Sequence, residues 1–578
     1  MKIKRISLLL AFTAITLCLP AQETLLHRQF SFLGTDMPEP QREVRAVWLT
    51  TLSGLDWPSR TARNESGAIR QKKELCDILD KLQAGGINTV IFQTRIRSTT
   101  SYPSDIEPWD GVFTGTPGRK PPYDPLQFAL DECHKRGMEL HAWVVAFPIC
   151  KVPVAKKLGN KALPKVRPEL CQRCGDQWMM DPGVPGTDDY IARICKEIVT
   201  RYNVDGIHLD YIRYPERGIS FNDNKTFKKY GKGKNKAAWR RENVTRCVRK
   251  IHQAVKSVRP WVKLSCSPVG KYADLPRQSS YGWNARDAVS QDAQAWLRDG
   301  LMDMLFPMMY FDGKHFYPFA LDWQENSYGG HIVPGLGIYF MHPREKDWDL
   351  NVIRRQMYFL RSAGLSGEAF FRSKFFTDNV KGIYDFCADD FYHYPALPPA
   401  ITRIDAIPPT IPDAAISKSG KSLSLCWKPS TDNTPNAPVY YLVYRLRDRE
   451  DGLDGATLLC SKMSDTRFTL TPASPNGLNA TYAVTAIDAF GNESAPAILT
   501  AATEYSPNLP MPIVCNRLEL PTADHAEFVL IKDITGKHVL TRRYGPHIDI
   551  SPLAKGFYEA RTLNKKGHSH RLLYFRKE

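Results

Sequence analysis

Residues 43–376 repeat one pattern, a short apolar run with polar and aromatic residues at its end, followed by an amphipathic segment. The runs predicted as strands are 44–52, 88–94, 139–147, 206–211, 262–268, 302–310, 332–338 and 368–372. The segments predicted as helices are 68–84, 124–136, 188–201, 237–257, 288–299 and 350–363. Eight such units fit an α/β fold of the (β/α)₈ TIM-like barrel type with enlarged loops. The alternative is an open doubly wound sheet, but no glycine-rich phosphate loop follows any run, which weakens its nucleotide-binding version.

The stretch 205–215, DGIHLDYIRYP, has the most informative strand end. Side chains alternate between the two faces of a strand, so His208 and Asp210 share one face. Burying two polar groups costs free energy unless they have partners. Barrel enzymes carry their chemistry at the carboxyl ends of their strands. We therefore predict that Asp210 faces a cleft; the alternative is a structural carboxylate that caps a loop.

The ends of the other predicted strands carry aromatic and hydrogen-bonding residues. Aromatic faces stack on sugar rings, and amide or guanidinium groups bond hydroxyls. Any one of these aromatics is more typical of core packing, so the prediction depends on their shared placement. The predicted substrate-binding residues are Trp48, Gln93, Arg95, Trp143, His208, Arg213, Tyr214, Tyr310 and Tyr339.

About two thirds of the chain, residues 41–395, resembles the glycosyl-hydrolase-like family 10 domain of secreted bacterial proteins. The motifs that carry the resemblance are Arg45-Ala-Val-Trp48, Phe92-Gln-Thr-Arg95, Tyr123-Asp-Pro125, His141-Ala-Trp143, Asp181-Pro-Gly183, the stretch 205–215, Trp239-Arg-Arg241-Glu-Asn243 and Ser267-Pro268. The resemblance implies a barrel with glycosidase activity. It also implies a substrate class, since one branch of the family cuts peptidoglycan glycan strands that have lost their peptides.

The chain departs from the family pattern at two places. Many relatives carry an aspartate after the second strand, where this chain has Ser98-Thr-Thr-Ser101. Many also carry two adjacent acids where this chain has Asp210-Tyr211. Asp210 is therefore the acid that remains at this strand end, and a mechanism that requires the second acid does not transfer directly.

Glycoside hydrolysis commonly uses two carboxyl groups, a general acid with a raised pKa and a nucleophile or base. We predict Asp210 as the acid, with surrounding aromatics keeping it protonated. Asp312, Glu107 and Glu216 are the candidates for the second carboxyl group, in that order. A solvated or loop-capping role is the more common one for each of these three. A substrate-assisted route through an N-acetyl group remains an alternative.

Two arginines bear on the role of Asp210. Arg95 and Arg213 are expected either to pair with Asp210 or to bind an anionic substituent such as a lactyl or uronate carboxylate. An arginine close to Asp210 would lower its pKa and favour a nucleophile or base instead. The lysine-rich run in 225–249 is predicted to be mainly a solvated loop, with contact to an acidic glycan as the alternative.

The first residues, MKIKRISLLLAFTAITLCLPA, have a basic start, an apolar core and a small residue at Ala21. This pattern predicts a signal peptide over 1–21 and a linker over 22–40, and hence export to the periplasm, outer surface or extracellular space. We expect no transmembrane span, because no later apolar run is long enough. The formal net charge of +17 suits an anionic partner such as an envelope polymer. No zinc-finger or RNA-recognition signature is present, so nucleic acid is not an expected partner.

Two β-rich segments follow the barrel. Residues 402–505 resemble a fibronectin type III sandwich with Trp427 and Tyr482 as core aromatics. Residues 510–578 resemble the C-terminal sorting domain of type IX secretion, which implies secretion machinery as a partner. A second small immunoglobulin-like sandwich is the alternative. The predicted architecture is thus a barrel followed by two small all-β domains.

We therefore predict a secreted glycoside hydrolase that acts on a polysaccharide or on peptidoglycan glycan strands. The alternative is a non-catalytic glycan-binding or adhesive protein on a degenerate barrel. A metal-dependent deacetylase is disfavoured, because His208 and Asp210 alone are too few ligands. We expect no metal and no cofactor. Cys171 and Cys174 form the only close cysteine pair, for which a local disulfide is at least as plausible as zinc.

Overall fold

The computed structural model describes residues 41–216, 218–276, 278, 282–419, 422–446, 453, 456–470, 481–500, 513–520, 526–533, 537–564 and 569–578. The predicted signal peptide and linker lie outside these residues. The chain divides after Ile407 into two compact units, and Ala489–Asn492 returns to the first of them. Among the described residues, no helix combines the length and the apolar character needed to cross a membrane.

The first unit contains twelve short strands in the described residues. They are β1 Val44–Leu49, β2 Thr89–Arg95, β3 Glu139–Val145, β4 Pro148–Lys151, β5 Cys171–Cys174, β6 Gln177–Met180, β7 Gly206–Asp210, β8 Lys263–Cys266, β9 Met304–Leu305, β10 His331–Ile332, β11 Gly335–Leu336 and β12 Gly367–Phe370. Nine of them form one curled parallel sheet in the order β10-β9-β8-β7-β3-β2-β1-β12-β11. This sheet and its helical connections fit a TIM-like barrel.

The two outermost strands of this order are close neighbours in sequence. β10 pairs with β9, and β11 pairs with β12. Only Val333 and Pro334 separate β10 from β11, and Pro334 has no backbone N–H to donate to a ladder. The prediction of one unbroken strand over 332–338 is therefore corrected to two short pieces. The predicted strand 302–310 shortens for the same reason, since it contains Pro307.

The helices of the first unit connect consecutive strands, except for two short ones that follow β12. The longer ones are Glu65–Ala84, Pro125–Lys135, Thr187–Arg201, Lys236–Lys256, Tyr317–Glu325 and Leu350–Ser362. The shorter ones are Val152–Leu158, Leu163–Val166, Asn224–Tyr230, Ala285–Ala288, Ala293–Arg298, Ser373–Thr377 and Ile383–Phe386. Short 3₁₀ turns lie at Leu52–Gly54, Gly159–Lys161, Pro168–Leu170, Gly313–His315, Ile338–Met341 and Val380–Gly382, and a π-turn at Cys387–Phe391.

Local sequence signals explain several helix ends. The Asp124 carboxylate accepts hydrogen bonds from the backbone N–H groups of Leu126 and Gln127 at 3.1 Å each, and Pro125 occupies the first turn. The helix Glu65–Ala84 ends at Gly85, as the Gly-Gly pair predicts. The lysine-rich run departs from the prediction of a loop, because Asn224–Tyr230 is helical, although its lysines are exposed as expected.

Strands β4, β6 and β5 form a small antiparallel sheet that the sequence pattern did not predict. Cys171 and Cys174 are the two ends of β5 and are both free thiols. Residues three apart on a strand point to opposite faces and lie too far apart for an S–S bond. The expectation of a local disulfide is therefore wrong for this structure.

Apolar side chains fill both faces of the parallel sheet. The outward faces pack under the helices, while a smaller inner cluster includes Val44, Trp48, Ile91, Trp143 and Phe306. His208 and Asp210 lie on the same inner face of β7, whereas Ile207 and Leu209 belong to the outer core. The predicted alternation along β7 is confirmed.

The second unit is built from β-strands. They are β13 Ala414–Ser419, β14 Ser422–Trp427, β15 Tyr440–Arg445, β16 Thr457–Met463, β17 Arg467–Leu470, β18 Thr481–Ile487, β19 Ala497–Thr500, β20 Ile513–Val514, β21 Arg517–Glu519, β22 Ala526–Asp533, β23 His538–Arg543, β24 His547–Asp549, β25 Gly556–Asn564 and β26 Ser569–Lys577. The sheets are β13-β14-β17, β16-β15-β18-β19, β20-β26-β25-β22-β23 and β21-β24. Trp427 and Tyr482 are both buried in one core.

Candidate active site

The candidate site lies where β3, β7 and β8 end. Register places Trp143 beside His208 and Val145 beside Asp210 across β3 and β7. Ser265 of β8 lies beside His208. Since β2, β3, β7 and β8 are parallel neighbours, their last residues meet at one edge of the sheet.

The Asp210 carboxyl group is buried and receives three hydrogen bonds. Oδ1 accepts from the backbone N–H of Tyr211 at 2.7 Å and from the Ser267 hydroxyl at 3.1 Å. Oδ2 accepts from the indole N–H of Trp143 at 3.1 Å. All three donors are neutral, and no cation lies within ion-pair distance of Asp210 in the described part of the chain.

Burial raises the pKa of Asp210 above its ordinary value, because desolvation penalises the carboxylate. The charge of Arg213 and the three hydrogen bonds oppose this rise. The net direction is upward, as expected for a carboxyl group that is protonated at a higher pH than ordinary aspartates.

Tyr211 turns the chain directly after β7. Its φ is +50°, in the left-handed region that non-glycine residues rarely adopt. This turn directs the Tyr211 N–H onto the carboxyl group of the preceding residue. The strained backbone is thus part of what orients Asp210.

His208 lies one layer below Asp210 on the same face. The indole N–H of Trp48 donates to His208 Nε2 at 3.3 Å, and His208 Nδ1 lies 3.0 Å from the Ser265 hydroxyl. Burial holds the pKa of His208 well below its ordinary value, so the ring is neutral. With Nε2 accepting, the proton resides on Nδ1. Both ring nitrogens are engaged by protein groups, which leaves His208 a supporting role.

Three aromatic rings form a wall near the carboxyl group. Tyr310 meets Tyr339 edge-on with ring centroids 5.7 Å apart and lies 5.5 Å from Phe371. Burial raises the pKa of Tyr310 well above its ordinary value, and the charge of Asp210 adds to that rise, so the Tyr310 hydroxyl lies within electrostatic range of Asp210. These rings are partly accessible and offer faces for a sugar.

Arg213 packs against the ring of Tyr211. Its guanidinium carbon is 4.6 Å from the centroid of the Tyr211 ring and 5.8 Å from that of Trp283. The side chain makes no hydrogen bond or ion pair within the described residues, and its Nε is fully buried.

Arg95, by contrast, is fully committed to Glu107. Arg95 Nε and Nη2 donate to the two Glu107 oxygens at 2.8 and 2.6 Å, and Nη1 donates to the carbonyls of Val145 and Ala146. Tyr190 donates to the same carboxylate at 3.1 Å. The ion pair is almost completely buried and anchors the end of β3. The prediction of Glu107 as an available carboxyl group and of Arg95 as a substrate-binding group is corrected accordingly.

The other two candidate carboxyl groups differ in their surroundings. Asp312 is exposed, and its Oδ1 accepts from the N–H of Gly313 at 2.6 Å, so it caps a turn. Glu216 is partly buried, and its carboxylate makes no hydrogen bond within the described residues. Its charge raises the pKa of Tyr211, the residue that follows Asp210. The order predicted for the three carboxyl groups stays a prediction; in the described residues Glu216 is the one whose carboxylate neither forms an ion pair nor caps a turn.

The chain is similar to several known proteins. The profile of the family described as Glycosyl hydrolase-like 10 matches residues 43–335, half of the chain. The Glycosyl hydrolase YngK of Bacillus subtilis (strain 168) is 31% identical over 481 residues, covering 79% of this chain and 92% of that protein. The chain belongs to the glycosyl hydrolase-like 10 family. The predicted enzyme class, glycoside hydrolase, is confirmed.

Other similarities are more partial. The Glycosyl hydrolase DigH of Escherichia coli (strain K12) is 37% identical over 297 residues, covering 47% of this chain and 66% of that protein. Among solved structures, alpha-L-fucosidase isoenzyme 2 from Paenibacillus thiaminolyticus superposes with a TM-score of 0.42 at 16% identity, covering 61% of this chain and 49% of that one.

Three of the predicted binding residues of this glycosyl hydrolase-like 10 protein are packed rather than open. Trp48 is 2% exposed and meets His208, Phe306 and Phe371 edge-on. Tyr214 is 2% exposed, accepts from Asn243 at 3.2 Å and lies under Arg240. Gln93 Oε1 accepts from the Thr50 hydroxyl and from the backbone N–H groups of Thr51 and Leu52. These contacts fix the strand ends.

Sequence reasoning did not single out Tyr211, Trp283 or Phe371. Ser267 was noticed at its strand end, but its bond to Asp210 was not foreseen. Trp283 lies in a loop without periodicity, so no local pattern marks it. The adjacency of Tyr211 to Asp210 was the one available signal.

Proposed function

We propose that this glycosyl hydrolase-like 10 enzyme cleaves a cell-envelope polysaccharide, with peptidoglycan glycan strands as the foremost substrate, and that Asp210 is its general acid. The observation that carries the proposal is the carboxyl group of Asp210, buried at a strand end among neutral donors only. Burial raises the pKa of this group, so it keeps its proton to a higher pH than an ordinary aspartate and remains able to release it. The names of the two relatives, both glycosyl hydrolases, support the same reaction class.

The proton to be transferred resides on Oδ2. Oδ1 already accepts two hydrogen bonds, whereas Oδ2 accepts only the one from Trp143. As the bond between the anomeric carbon and the leaving oxygen breaks, that oxygen takes the Asp210 proton. Water then supplies the hydroxyl of the new reducing end, and its remaining proton restores Asp210.

Glu216 is our choice for the second carboxyl group. Glu107 is occupied by Arg95, and Asp312 is exposed and caps a turn. The charge of Glu216 influences the pKa of Tyr211, and its carboxylate has no hydrogen-bond partner within the described residues. If Glu216 does not act, the N-acetyl group of the substrate is the remaining nucleophile.

Purified protein incubated with peptide-free peptidoglycan strands provides the test. Wild-type protein should release reducing ends, and Asp210→Asn should lose about 10²–10⁴-fold in kcat while still binding the glycan and melting like the wild type. Asp312→Asn is the matched control and should keep its rate. Glu216→Gln should lose rate as well, with partial rescue by azide if the residue is a nucleophile.

Two outcomes would count against the proposal. Failure to release reducing ends from peptidoglycan, amino-sugar or uronate polymers would refute the substrate assignment. Full turnover by Asp210→Asn would refute the role of its carboxyl group.

We further propose that the curled sheet is a closed (β/α)₈ barrel. If β10 and β11 are counted as two halves of one strand, the sheet has eight strands. Met308, which follows β9, forms a parallel bridge with Gly335 of β11, and this bridge joins the two edges of the sheet. For residues 402–505 we propose a fibronectin type III-like domain, since the three- and four-stranded antiparallel sheets of β13–β19 suit that fold.

Export is the last part of the proposal. The predicted signal peptide over 1–21 supports it, and residues 510–578 are proposed to engage secretion machinery as a sorting domain. Mass spectrometry of protein recovered from the medium and envelope of the producing cell tests both, by locating the mature N-terminus and any C-terminal cleavage.

A further inference from the structure

Arg213 is a buried cation that has no counter-ion among the described residues. The residue is 5% exposed, its Nε has no acceptor, and neither a hydrogen bond nor an ion pair is found for it among the described residues. Its contacts are with the rings of Tyr211 and Trp283. Ring contact engages the face of a guanidinium group and leaves its N–H edge available for a planar anion.

A buried charge normally requires a partner, because removing an unpaired ion from water is unfavourable. Arg95 in the same region shows the satisfied case, with a bidentate carboxylate and two carbonyls. Arg213 has the same chemistry but no such partner in the part of the chain that the structure describes. A ligand that occupies the site would supply one.

A second arginine lies nearby. Arg97 follows β2, is partly buried and makes no hydrogen bond or ion pair in the described residues. Its charge lowers the pKa of Tyr211, so both Arg97 and Arg213 act on the same ring. Asp210 and Glu216 are the acids whose charges act on the same ring, and neither forms an ion pair with Arg97 or Arg213 among the described residues.

We infer that Arg213, assisted by Arg97, binds a carboxylate substituent of the sugar that occupies the Asp210 site, so that the enzyme selects an acidic glycan over its neutral counterpart. The inference rests on the proposed function of that site. A carboxylate fits the edge of a guanidinium group through two parallel hydrogen bonds. A lactyl ether or a uronate group would supply it.

The competing explanation is that Arg213 only tunes Asp210. In that case its charge would affect every substrate equally, by moving the pH at which Asp210 ionises. A carboxylate subsite instead affects acidic substrates alone. The two roles separate when one polymer is compared with its uncharged derivative.

The turnover experiment uses peptide-free peptidoglycan strands and the same strands with the lactyl carboxyl groups converted to amides. Wild-type kcat/KM should fall at least tenfold on the amide. The kcat/KM of Arg213→Gln on the acidic strands should fall to the wild-type value on the amide, and its kcat/KM on the amide should change little. Arg213→Lys should recover part of the lost kcat/KM on the acidic strands. Arg70→Gln, on the helix Glu65–Ala84, is the control. An equal loss on both polymers, with a shifted pH profile, would overturn the inference.

A binding experiment keeps the inference separate from the proposed substrate. Calorimetry on the Asp210→Asn protein should show that N-acetylmuramic acid binds at least tenfold more tightly than its amide, and that adding Arg213→Gln removes the difference. Equal binding of acid and amide would overturn the subsite whatever the turnover. A clear preference for the acid without cleavage of either polymer would support the subsite and reject the proposed substrate.

Discussion

Buried acids at the two ends of the parallel sheet have opposite surroundings. At the start of β3, Glu139 binds the Lys263 ammonium group through both oxygens at 2.7 Å. At the end of β7, Asp210 has only neutral donors. An ion pair fixes the charge of Glu139, whereas neutral donors let Asp210 gain and lose a proton. The difference matches the division of barrels into a stabilising end and a reactive end.

Removing the Lys263 side chain should destabilise the protein at the end of the sheet where Glu139 is buried. Lys263→Met leaves the Glu139 carboxylate buried without its cation, which should lower the free energy of unfolding by about 3–5 kcal/mol. Urea denaturation measures the loss, and turnover per folded molecule should stay within twofold. The double variant Glu139→Gln/Lys263→Met should recover much of the stability. A single variant as stable as the wild type would remove the contrast between the two ends.

At the start of β12, a buried acid without a matched cation in the described residues should make the free energy of unfolding depend on pH. Burial and the neighbouring Glu43 raise the pKa of Glu368 to about 8. Because this pKa is higher in the folded than in the unfolded chain, its contribution to stability is complete below the ordinary glutamate pKa and is lost as pH rises towards 8. Urea midpoints should therefore decline across that window. Glu368→Gln should flatten the decline; an unchanged slope would assign it to other groups.

Replacing Trp143 tests how its hydrogen bond affects Asp210 at the end of β7. Trp143→Phe removes the donor to Asp210 Oδ2, and kcat is expected to fall about tenfold as a result. A hydrogen bond to the ionised form lowers a pKa, so its loss should move the alkaline limb of the pH–rate profile to higher pH. Trp296→Phe, at a buried indole that bonds Thr245, is the control and should leave the limb in place.

The sequence predicted those parts of the fold that depend on local periodicity. The alternation over β7 placed His208 and Asp210 on one inner face, and the strand-helix repeat indicated a parallel sheet, as found. The small sheet of β4, β5 and β6 was missed because its strands are four residues each and short helices separate β4 from β5. Strands 302–310 and 332–338 were overestimated because proline interrupts both.

The partners of site residues were harder to predict, because register and loop paths bring them together. Trp143 reaches Asp210 only through the pairing of β3 with β7. Arg95 and Glu107 are twelve residues apart, and nothing local shows that the intervening loop returns to close a buried ion pair. Arg95 was therefore predicted to bind substrate and Glu107 to act as a second carboxyl group, whereas their contacts anchor the end of β3.

The left-handed turn at Tyr211 gives the proposed general acid a contact that side-chain mutagenesis does not remove. The N–H that binds Asp210 Oδ1 belongs to the main chain, so replacing the surrounding side chains one by one leaves it in place. Proline is the one natural replacement without that N–H, and its φ of about −65° also forbids the turn. The orientation of the acid can thus persist while the rings around it diverge to accommodate other sugars.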